Sequence, residues 1–108
     1  MDKINEYLKR TRSTRTLQSG ITIDVVRPWV ECADGFRISI QASQYHYCSP
    51  RCDGEVEYES VELGFPNVVD PLIIDYADDP EDPTESVYGF VPVRIVCELV
   101  EKHGGIIN

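Results

Sequence analysis

The sequence predicts an α+β fold: a single small domain in which a twisted antiparallel sheet of four or five strands packs against a C-terminal helix, with a short N-terminal helix. Three observations predict it. Apolar and polar residues alternate with period two in several short segments. An Asp-Gly pair separates two of these segments, as in a β-hairpin. The last apolar segment has the spacing of an amphipathic helix.

The first helix and a basic arm are expected in residues 1–20, and the α+β domain in residues 21–108. Ile4, Tyr7 and Leu8 share one face of a helix over residues 2–9, and Asp2 stands near its start. Residues 10–20 are rich in Thr, Ser and Arg, which is typical of a loop or mobile arm.

The first half of the sheet is predicted around the Asp-Gly turn. Residues 21–32 are strand-like, with a bulge or edge position at Pro28, which lacks a backbone N–H. Asp34-Gly35 favours a type I′ turn. Residues 36–43 then alternate, so that the apolar set is expected to face the core and the polar set to face solvent: Phe36, Ile38, Ile40 and Ala42 against Arg37, Ser39, Gln41 and Ser43.

A third strand is predicted over residues 55–63, followed by short strands at 72–74 and 87–91. The acidic, proline-containing loop at 77–85 is expected to be too polar to pack. Pro92 suits the first turn of a helix over residues 92–103. The predicted buried stripe of that helix is Val93, Val96, Cys97, Leu99 and Val100.

Charge is distributed unevenly along the chain. Residues 53–93 contain twelve carboxylates and no Lys or Arg, whereas residues 1–20 contain five cations and two acids. The formal net charge of −9 disfavours direct nucleic-acid binding and favours solubility and a basic protein partner, in particular a nucleic-acid-binding one. The predicted contact residues are Glu55, Glu57, Glu59, Glu62, Asp78, Asp79, Glu81, Asp82 and Glu85.

The charges on the predicted third strand would form a row. Alternate residues of a strand lie about 6.6 Å apart, so Glu55, Glu57 and Glu59 would resemble the charges of one nucleic-acid strand. The other interpretation is a solvated face that discourages edge-to-edge pairing of strands.

A second candidate site gathers hydrogen-bond donors, acceptors, aromatic rings and thiols within residues 41–52 and on the polar face of the preceding strand. A guanidinium beside tyrosines suits a phosphate, a carboxylate or a nucleotide base. The predicted ligand-binding residues are Arg37, Ser39, Gln41, Tyr45, His46, Tyr47 and Arg51.

Metal and catalytic signals are weaker. His46, Cys48 and Cys52, with Cys97 or His103 as a distant fourth ligand, are zinc candidates that lack a second closely spaced pair. Cys48 lies two residues from His46, but no neighbouring cation or oxyanion-hole turn favours a nucleophile. We therefore expect no cofactor and no enzymatic activity.

No apolar run approaches the roughly 20 residues of a membrane span, and no secretory signal is evident at the N-terminus. The expected location is the cytoplasm, where the four cysteines would be reduced thiols.

Several strings along the chain resemble segments of small acidic proteins encoded by phages and prophages of gut bacteria. They are Ala-Asp-Gly-Phe-Arg-Ile-Ser-Ile-Gln-Ala-Ser (33–43), His-Tyr-Cys-Ser-Pro-Arg (46–51), Val-Glu-Leu-Gly-Phe-Pro (61–66), Val-Tyr-Gly-Phe-Val-Pro (87–92) and Glu-Lys-His-Gly-Gly-Ile (101–106). The resemblance carries no active site. It implies an inhibitor of host defence that acts in the host cytoplasm, by mimicking DNA or by capturing a signal nucleotide.

The leading expectation is a non-enzymatic, phage-type accessory protein that inhibits a host protein through an acidic, nucleic-acid-mimicking surface. The alternatives are a small-molecule or nucleotide-sequestering protein that uses the second candidate site, and a virion or structural assembly protein that forms a homo-oligomer.

Overall fold

The computed structural model describes residues 2–108. Two α-helices and six strands follow one another along the chain: α1 Lys3–Arg10, β1 Thr14–Thr16, β2 Thr22–Asp24, β3 Val30–Glu31, β4 Arg37–Gln41, β5 Ser60–Gly64, β6 Val87–Pro92 and α2 Val93–Lys102. Two 3-10 turns, Ile74–Tyr76 and Pro83–Glu85, precede β6.

The strands form two antiparallel sheets. β1 and β2 make a ribbon, and the four-stranded sheet has the order β3-β4-β5-β6. The inner face of this sheet, α2 and α1 share one core, which includes Ile40, Leu63, Val91, Leu99 and Leu8. The predicted α+β class, with a C-terminal helix on an antiparallel sheet and a short N-terminal helix, is confirmed.

Helix α1 starts one residue later than predicted, because Asp2 caps it rather than lying in its first turn: its Oδ1 accepts the Asn5 backbone N–H at 2.7 Å. The predicted arm at residues 10–20 is wrong in part. Its middle pairs with β2 through the register Thr14↔Asp24 and Thr16↔Thr22. Threonines are β-branched and suit strands, and the hydroxyls of Thr16 and Thr22 lie 3.1 Å apart across the ribbon.

The predicted strand at residues 21–32 is divided between the two sheets. The chain leaves the ribbon after β2 and enters the main sheet at β3. Arg27 is buried between them, and the Gln41 side chain bonds its backbone N–H and C=O. The break includes Pro28, where a ladder donor is missing.

The turn between β3 and β4 lies where Asp34-Gly35 predicts it, but its type differs. Only Gly35 has a positive φ, +95°. Gly35 N–H donates to the Cys32 carbonyl at 3.0 Å and Cys32 N–H to the Phe36 carbonyl at 2.9 Å. This pattern is a type I turn closed by a glycine bulge, not a type I′ turn.

The core face of β4 and its flanking residues is confirmed, since Phe36, Ile38, Ile40 and Ala42 are all buried. Its polar face is not uniformly solvated. Gln41 is only 4% exposed and Ser43 only 2%. The Arg27 backbone bonds the Gln41 side chain, and Tyr45 and His46 bond the Ser43 hydroxyl, which alternation along a single strand cannot reveal.

The predicted third strand begins at Ser60 rather than at residue 55. The backbone groups that would pair there are already used. The Asn5 side chain takes the N–H and C=O of Tyr58, while Glu59 donates to the Ser49 carbonyl and accepts from the Val93 N–H. No backbone group of Tyr58 or Glu59 is left for a ladder.

The predicted strand at residues 72–74 is also wrong. Asp70 Oδ1 accepts the Leu72 N–H at 2.9 Å, and the chain turns into the 3-10 segment with Ile73 buried. The acidic loop at 77–85 packs more than expected. Its backbone is tied to the sheet where Ser86 Oγ accepts the Asp79 N–H and Tyr88 Oη donates to the Pro83 carbonyl.

Helix α2 starts one residue later than predicted, with Pro92 at the cap rather than in the first turn. Val93, Val96, Leu99 and Val100 are buried as expected, and Cys97 is half-buried. After the helix, Ile106 bridges to Cys32, so the last residues lie along β3. No helix within residues 2–108 has the length and apolar character needed to cross a membrane.

Candidate functional site

A β-bulge interrupts the middle of β6, which is an outer strand of the four-stranded sheet. The register with β5 shifts between Val61 and Leu63, so that Gly89 and Phe90 together oppose one residue of β5. Tyr88 and Val91 both face the core, 1% and 0% exposed. Phe90, between them, has φ +53° and is 51% exposed, so the bulge turns its ring to the surface.

Beside this bulge lies a cavity of about 390 Å³, the β6 edge pocket. Its lining is aromatic and small, with one charged residue: Tyr47, Tyr76, Ala77, Asp78, Val87, Gly89 and Phe90. The Tyr47 and Phe90 ring centroids lie 6.0 Å apart at an interplanar angle of 44°. The Tyr47 carbonyl accepts the Phe90 N–H at 2.9 Å, which holds the two rings side by side.

Gly89 allows Tyr47 to approach β6 closely. A Cβ at this position would lie 3.2 Å from the Cβ of Tyr47. The Tyr47 N–H also donates to Glu62 Oε1 at 3.1 Å, and the Arg51 guanidinium lies 5.2 Å from the Tyr47 ring centroid. The loop that carries Tyr47 is therefore fixed to the sheet by its backbone and its ring.

The predicted ligand cluster is brought together only in part. Tyr47 and Arg51 are in contact, and Tyr45 is 62% exposed in the same loop. Arg37 lies elsewhere, at the opposite end of β4, with its guanidinium 4.6 Å from the Trp29 ring centroid. Gln41, at the other end, is about 13 Å further along the strand, at roughly 3.3 Å per residue.

The other members of that cluster bond within the protein. Gln41 Nε2 donates to Ser39 Oγ at 3.0 Å as well as to the Arg27 carbonyl. His46 Nδ1 lies 2.7 Å from Ser43 Oγ. These three side chains support the loop and the strand, and the structure does not converge all seven predicted residues on one cavity.

The surroundings of Cys48 and His46 do not activate either side chain for catalysis. Burial raises the pKa of Cys48, whose Sγ donates to the Ser43 carbonyl at 3.2 Å, and burial lowers the pKa of His46. A buried thiol beside a neutral imidazole of this kind is not an activated nucleophile. Within residues 2–108 there is no group of three or more His, Cys, Asp or Glu side chains that could hold a metal ion.

The residues that precede β5 form an exposed acidic row, defined as Glu55, Glu57 and Glu59. All three are exposed, while Val56 is half-buried and Tyr58 is 3% exposed. The predicted alternation of exposed and buried side chains is therefore present, although these residues do not belong to a β-strand. Glu57 Oε1 pairs with Lys9 Nζ at 2.9 Å. In the described part of the chain, no cation lies within 4.0 Å of the other two carboxylates.

Other carboxylates of the acidic tract, defined as the twelve carboxylates of residues 53–93, are structural. Asp70 is 3% exposed and bonds Lys102 and His103. Asp53 accepts the backbone N–H groups of Asp24 and Gln44. For both Asp53 and Asp70, burial raises the pKa, but the hydrogen bonds outweigh it and the pKa is lowered.

The acidic loop, residues 77–85, presents the second exposed group. Its carboxylates all face solvent: Asp78, Asp79, Glu81, Asp82 and Glu85. The loop leads into the start of β6, whereas the acidic row leads into the start of β5. Because β5 and β6 are antiparallel, the two groups lie at opposite ends of the hairpin, separated by about 17 Å of strand.

Sequence reasoning missed the aromatic residues Phe90, Tyr76, Trp29 and Phe65. One signal was available for Phe90: Tyr88 and Val91 are both apolar but three residues apart, which period-two alternation does not allow without a bulge. Trp29 and Phe65 meet only in the fold, with ring centroids 6.4 Å apart.

Comparison of the chain with protein-family models, with curated proteins and with solved structures yields no match.

Proposed function

We propose that this is a non-enzymatic binding protein whose exposed carboxylates occupy a basic, nucleic-acid-binding surface of a protein partner. The observation that carries the proposal is the separation of the acidic tract into structural and free members. Asp53 and Asp70 are bonded inside the fold, whereas the acidic row and the acidic loop project into solvent with Lys9 as their one cation within 4.0 Å among residues 2–108.

The arrangement of the two acidic groups supports the proposal. They flank opposite ends of the paired strands β5 and β6, and the five residues of β5 span about 17 Å, or about five steps of 3.4 Å along one strand of a duplex. A partner surface built for phosphates offers cations over such a distance, so both groups can be engaged at once.

The resemblance to small acidic phage and prophage proteins supplies the context of the proposal. In that context the partner is a host defence protein that binds nucleic acid, and the bound protein inhibits it by covering that surface.

The test uses the tagged full chain to capture partners from a gut-bacterial host lysate at low and high salt. Replacing Glu55, Glu57 and Glu59 by Gln should reduce capture of the partner about tenfold or more, since three charge contacts of up to about 1 kcal/mol each are lost. Capture by the unaltered chain should fall with salt, and a short DNA duplex should compete for the partner.

The matched control replaces three exposed glutamates on the helices, Glu6, Glu98 and Glu101, by Gln, which changes the net charge by the same amount. This variant should retain its partner. Equal capture by the two triple variants, or a partner that DNA does not displace, would contradict a nucleic-acid-mimicking surface.

A nucleotide-binding function is the second candidate. One observation favours it, the Arg51 guanidinium 5.2 Å above the Tyr47 ring with Phe90 alongside, which suits a base or a phosphate. Asp78, which lines the β6 edge pocket together with Tyr47 and Phe90, carries a carboxylate that opposes an anion, so titration with a nucleotide and with a cation distinguishes the two ligand classes.

A further inference from the structure

We infer that the β6 edge pocket binds a cationic side chain, an arginine in particular, presented by the basic partner. The inference rests on the proposed function for the class of partner. It makes this pocket the place where a side chain of the partner is buried, whereas the other contacts are between exposed charges. Interfaces gain most of their affinity from a few aromatic or arginine contacts in a pocket, which the surrounding contacts shield from water.

The lining of the pocket has the chemistry that attracts a cation. Tyr47, Tyr76 and Phe90 present aromatic rings, whose faces carry negative electrostatic potential. Asp78 adds a carboxylate, and no Lys or Arg of the described residues lines the pocket. Arg51 already lies 5.2 Å from the Tyr47 ring centroid, outside the pocket lining, so this ring accepts a guanidinium within the protein itself.

Charge complementarity favours a cation over an anion as the occupant. The acidic loop continues directly from Asp78, which lines the pocket, and its four further carboxylates are exposed to solvent. Together with the net charge of −9, they repel a phosphate and attract an ammonium or guanidinium group. A guanidinium is planar and less strongly hydrated than an ammonium, so it stacks on the rings more readily.

The pocket is held by specific features of the backbone. A phenylalanine with φ +53° is uncommon, and at residue 90 the bulge and the bond from its N–H to the Tyr47 carbonyl maintain it. Gly89 provides the space for Tyr47, where a Cβ would come within 3.2 Å. Bulges re-aim side chains at the edges of sheets, and here one turns Phe90 toward the cavity.

The test is a titration of ¹⁵N-labelled protein with N-acetyl-arginine amide, followed by amide chemical shifts. The expected result is a saturable shift of the Tyr47, Asp78, Gly89 and Phe90 amides. N-acetyl-citrulline amide, a neutral molecule of nearly the same shape, should bind at least about fivefold more weakly, as expected for the loss of a cation–π and a charge contact.

Two variants and one control locate the site. Phe90→Gly removes the ring at a position whose φ suits glycine, and should weaken binding about fivefold or more. Asp78→Asn should weaken it about two- to fivefold. The control is Phe65→Gly: Phe65 also has a positive φ, +54°, and is 43% exposed, but it does not line the pocket, so binding should be unchanged.

Three outcomes would overturn the inference: no saturable shift, equal binding of the arginine and citrulline probes, or equal loss in the Phe65 and Phe90 variants. Adenosine monophosphate is titrated in parallel, and a preference for it at the same amides would overturn the inference in favour of nucleotide binding. The titration involves no partner protein, and the acidic-row variants leave the pocket lining intact. Failure of this site and failure of the acidic surface are therefore distinguishable.

Discussion

At the scale of single residues, four side-chain amides act as partners for segments of backbone. Each bonds one N–H and one C=O: Asn5 with Tyr58, Gln41 with Arg27, Asn67 with Arg37 and Gly35, and Asn108 with Glu31 and Trp29. A primary amide offers an acceptor and two donors, so it can imitate the edge of a neighbouring strand. These side-chain bonds satisfy backbone N–H and C=O groups that have no strand beside them among residues 2–108.

Arg27 is a buried cation satisfied mainly by carbonyl groups. Its guanidinium donates to the Leu8 carbonyl, at 3.0 and 3.1 Å, and to the Ala42 carbonyl at 2.9 Å. Leu8 lies in the last turn of α1, where the helix dipole is negative. Burial lowers the pKa of Arg27, yet the group stays charged because its usual pKa is far above neutral pH. Arg27 thereby joins α1 to the end of β4.

Replacing Gln41 by Ala should destabilise the protein by about 2–4 kcal/mol, because the buried N–H and C=O of Arg27 both lose their partner. Chemical denaturation measures the change in the free energy of unfolding. Gln18→Ala, at an exposed position of the β1–β2 turn, is the control and should change it by less than about 0.5 kcal/mol. A similar small effect at Gln41 would mean that water replaces its side chain.

At the scale of elements, His103 joins three separate parts of the fold. Its Nδ1 lies 2.7 Å from Asp34 Oδ2 in the β3–β4 turn, and its Nε2 lies 2.8 Å from Asp70 Oδ2 in the loop after β5. The Phe36 ring stacks on the imidazole with centroids 3.9 Å apart. Burial lowers the pKa of His103, but the bonds to the two carboxylates outweigh it and the pKa is raised. The protonated ring, with both N–H groups donating, fits this position.

The two histidines of the chain should affect stability with opposite dependence on pH. The pKa of His103 is raised in the fold, so its stabilisation is complete below about pH 6.5 and is lost as the pH rises through the folded value. The pKa of His46 is lowered by burial, so its contribution is present above about pH 6.5 and is lost as the pH falls.

Unfolding measurements between about pH 5.5 and 8.5 check this expectation, a range in which the carboxylates stay ionised. His103→Asn should destabilise the protein more at the acidic end of the range, and His46→Asn more at the basic end. Parallel pH profiles for the two variants would show that the contacts of His103 do not hold a proton.

An element was predictable from the sequence where local periodicity determines it, and not where it depends on contacts with residues far away along the chain. The α2 stripe and the core face of β4 follow from local periodicity, since one side of each is buried against the same core. The start of β5 did not, because Asn5, more than fifty residues away, takes the backbone bonds of Tyr58. The bulge in β6 likewise depends on the register with β5.

At the scale of the whole molecule, the charge distribution opposes compactness. The chain carries 19 acids and 10 Lys or Arg residues, and its described residues span 42 × 27 × 21 Å. Among residues 2–108, most acids of the acidic row and the acidic loop have no cation within 4.0 Å. Repulsion among these exposed carboxylates acts over distances comparable to the Debye length, about 10 Å at 0.1 M salt. It is the long-range field of such charges that the proposed partner would meet first.

Raising NaCl from about 20 to about 200 mM should increase the free energy of unfolding, by on the order of 0.5 kcal/mol, because screening weakens this repulsion more than it weakens the few ion pairs. When both are measured by urea denaturation, the triple Gln variant of the acidic row should show a smaller increase in the free energy of unfolding with salt than the unaltered chain. A decrease with salt in the unaltered chain would show that attractive pairs dominate its electrostatics.

The sequence by itself determined the α+β class, both helices, the position of the β3–β4 turn and the acidic tract, because these depend on periodicity, turn chemistry and composition within a few residues. The tertiary structure alone decided which carboxylates are free and where the aromatic rings meet. The sequence shows Asp70 and Glu59 simply as two acidic residues. The fold brings Lys102 and His103 to Asp70 and not to Glu59. Contacts between distant segments make that difference, and no local pattern encodes them.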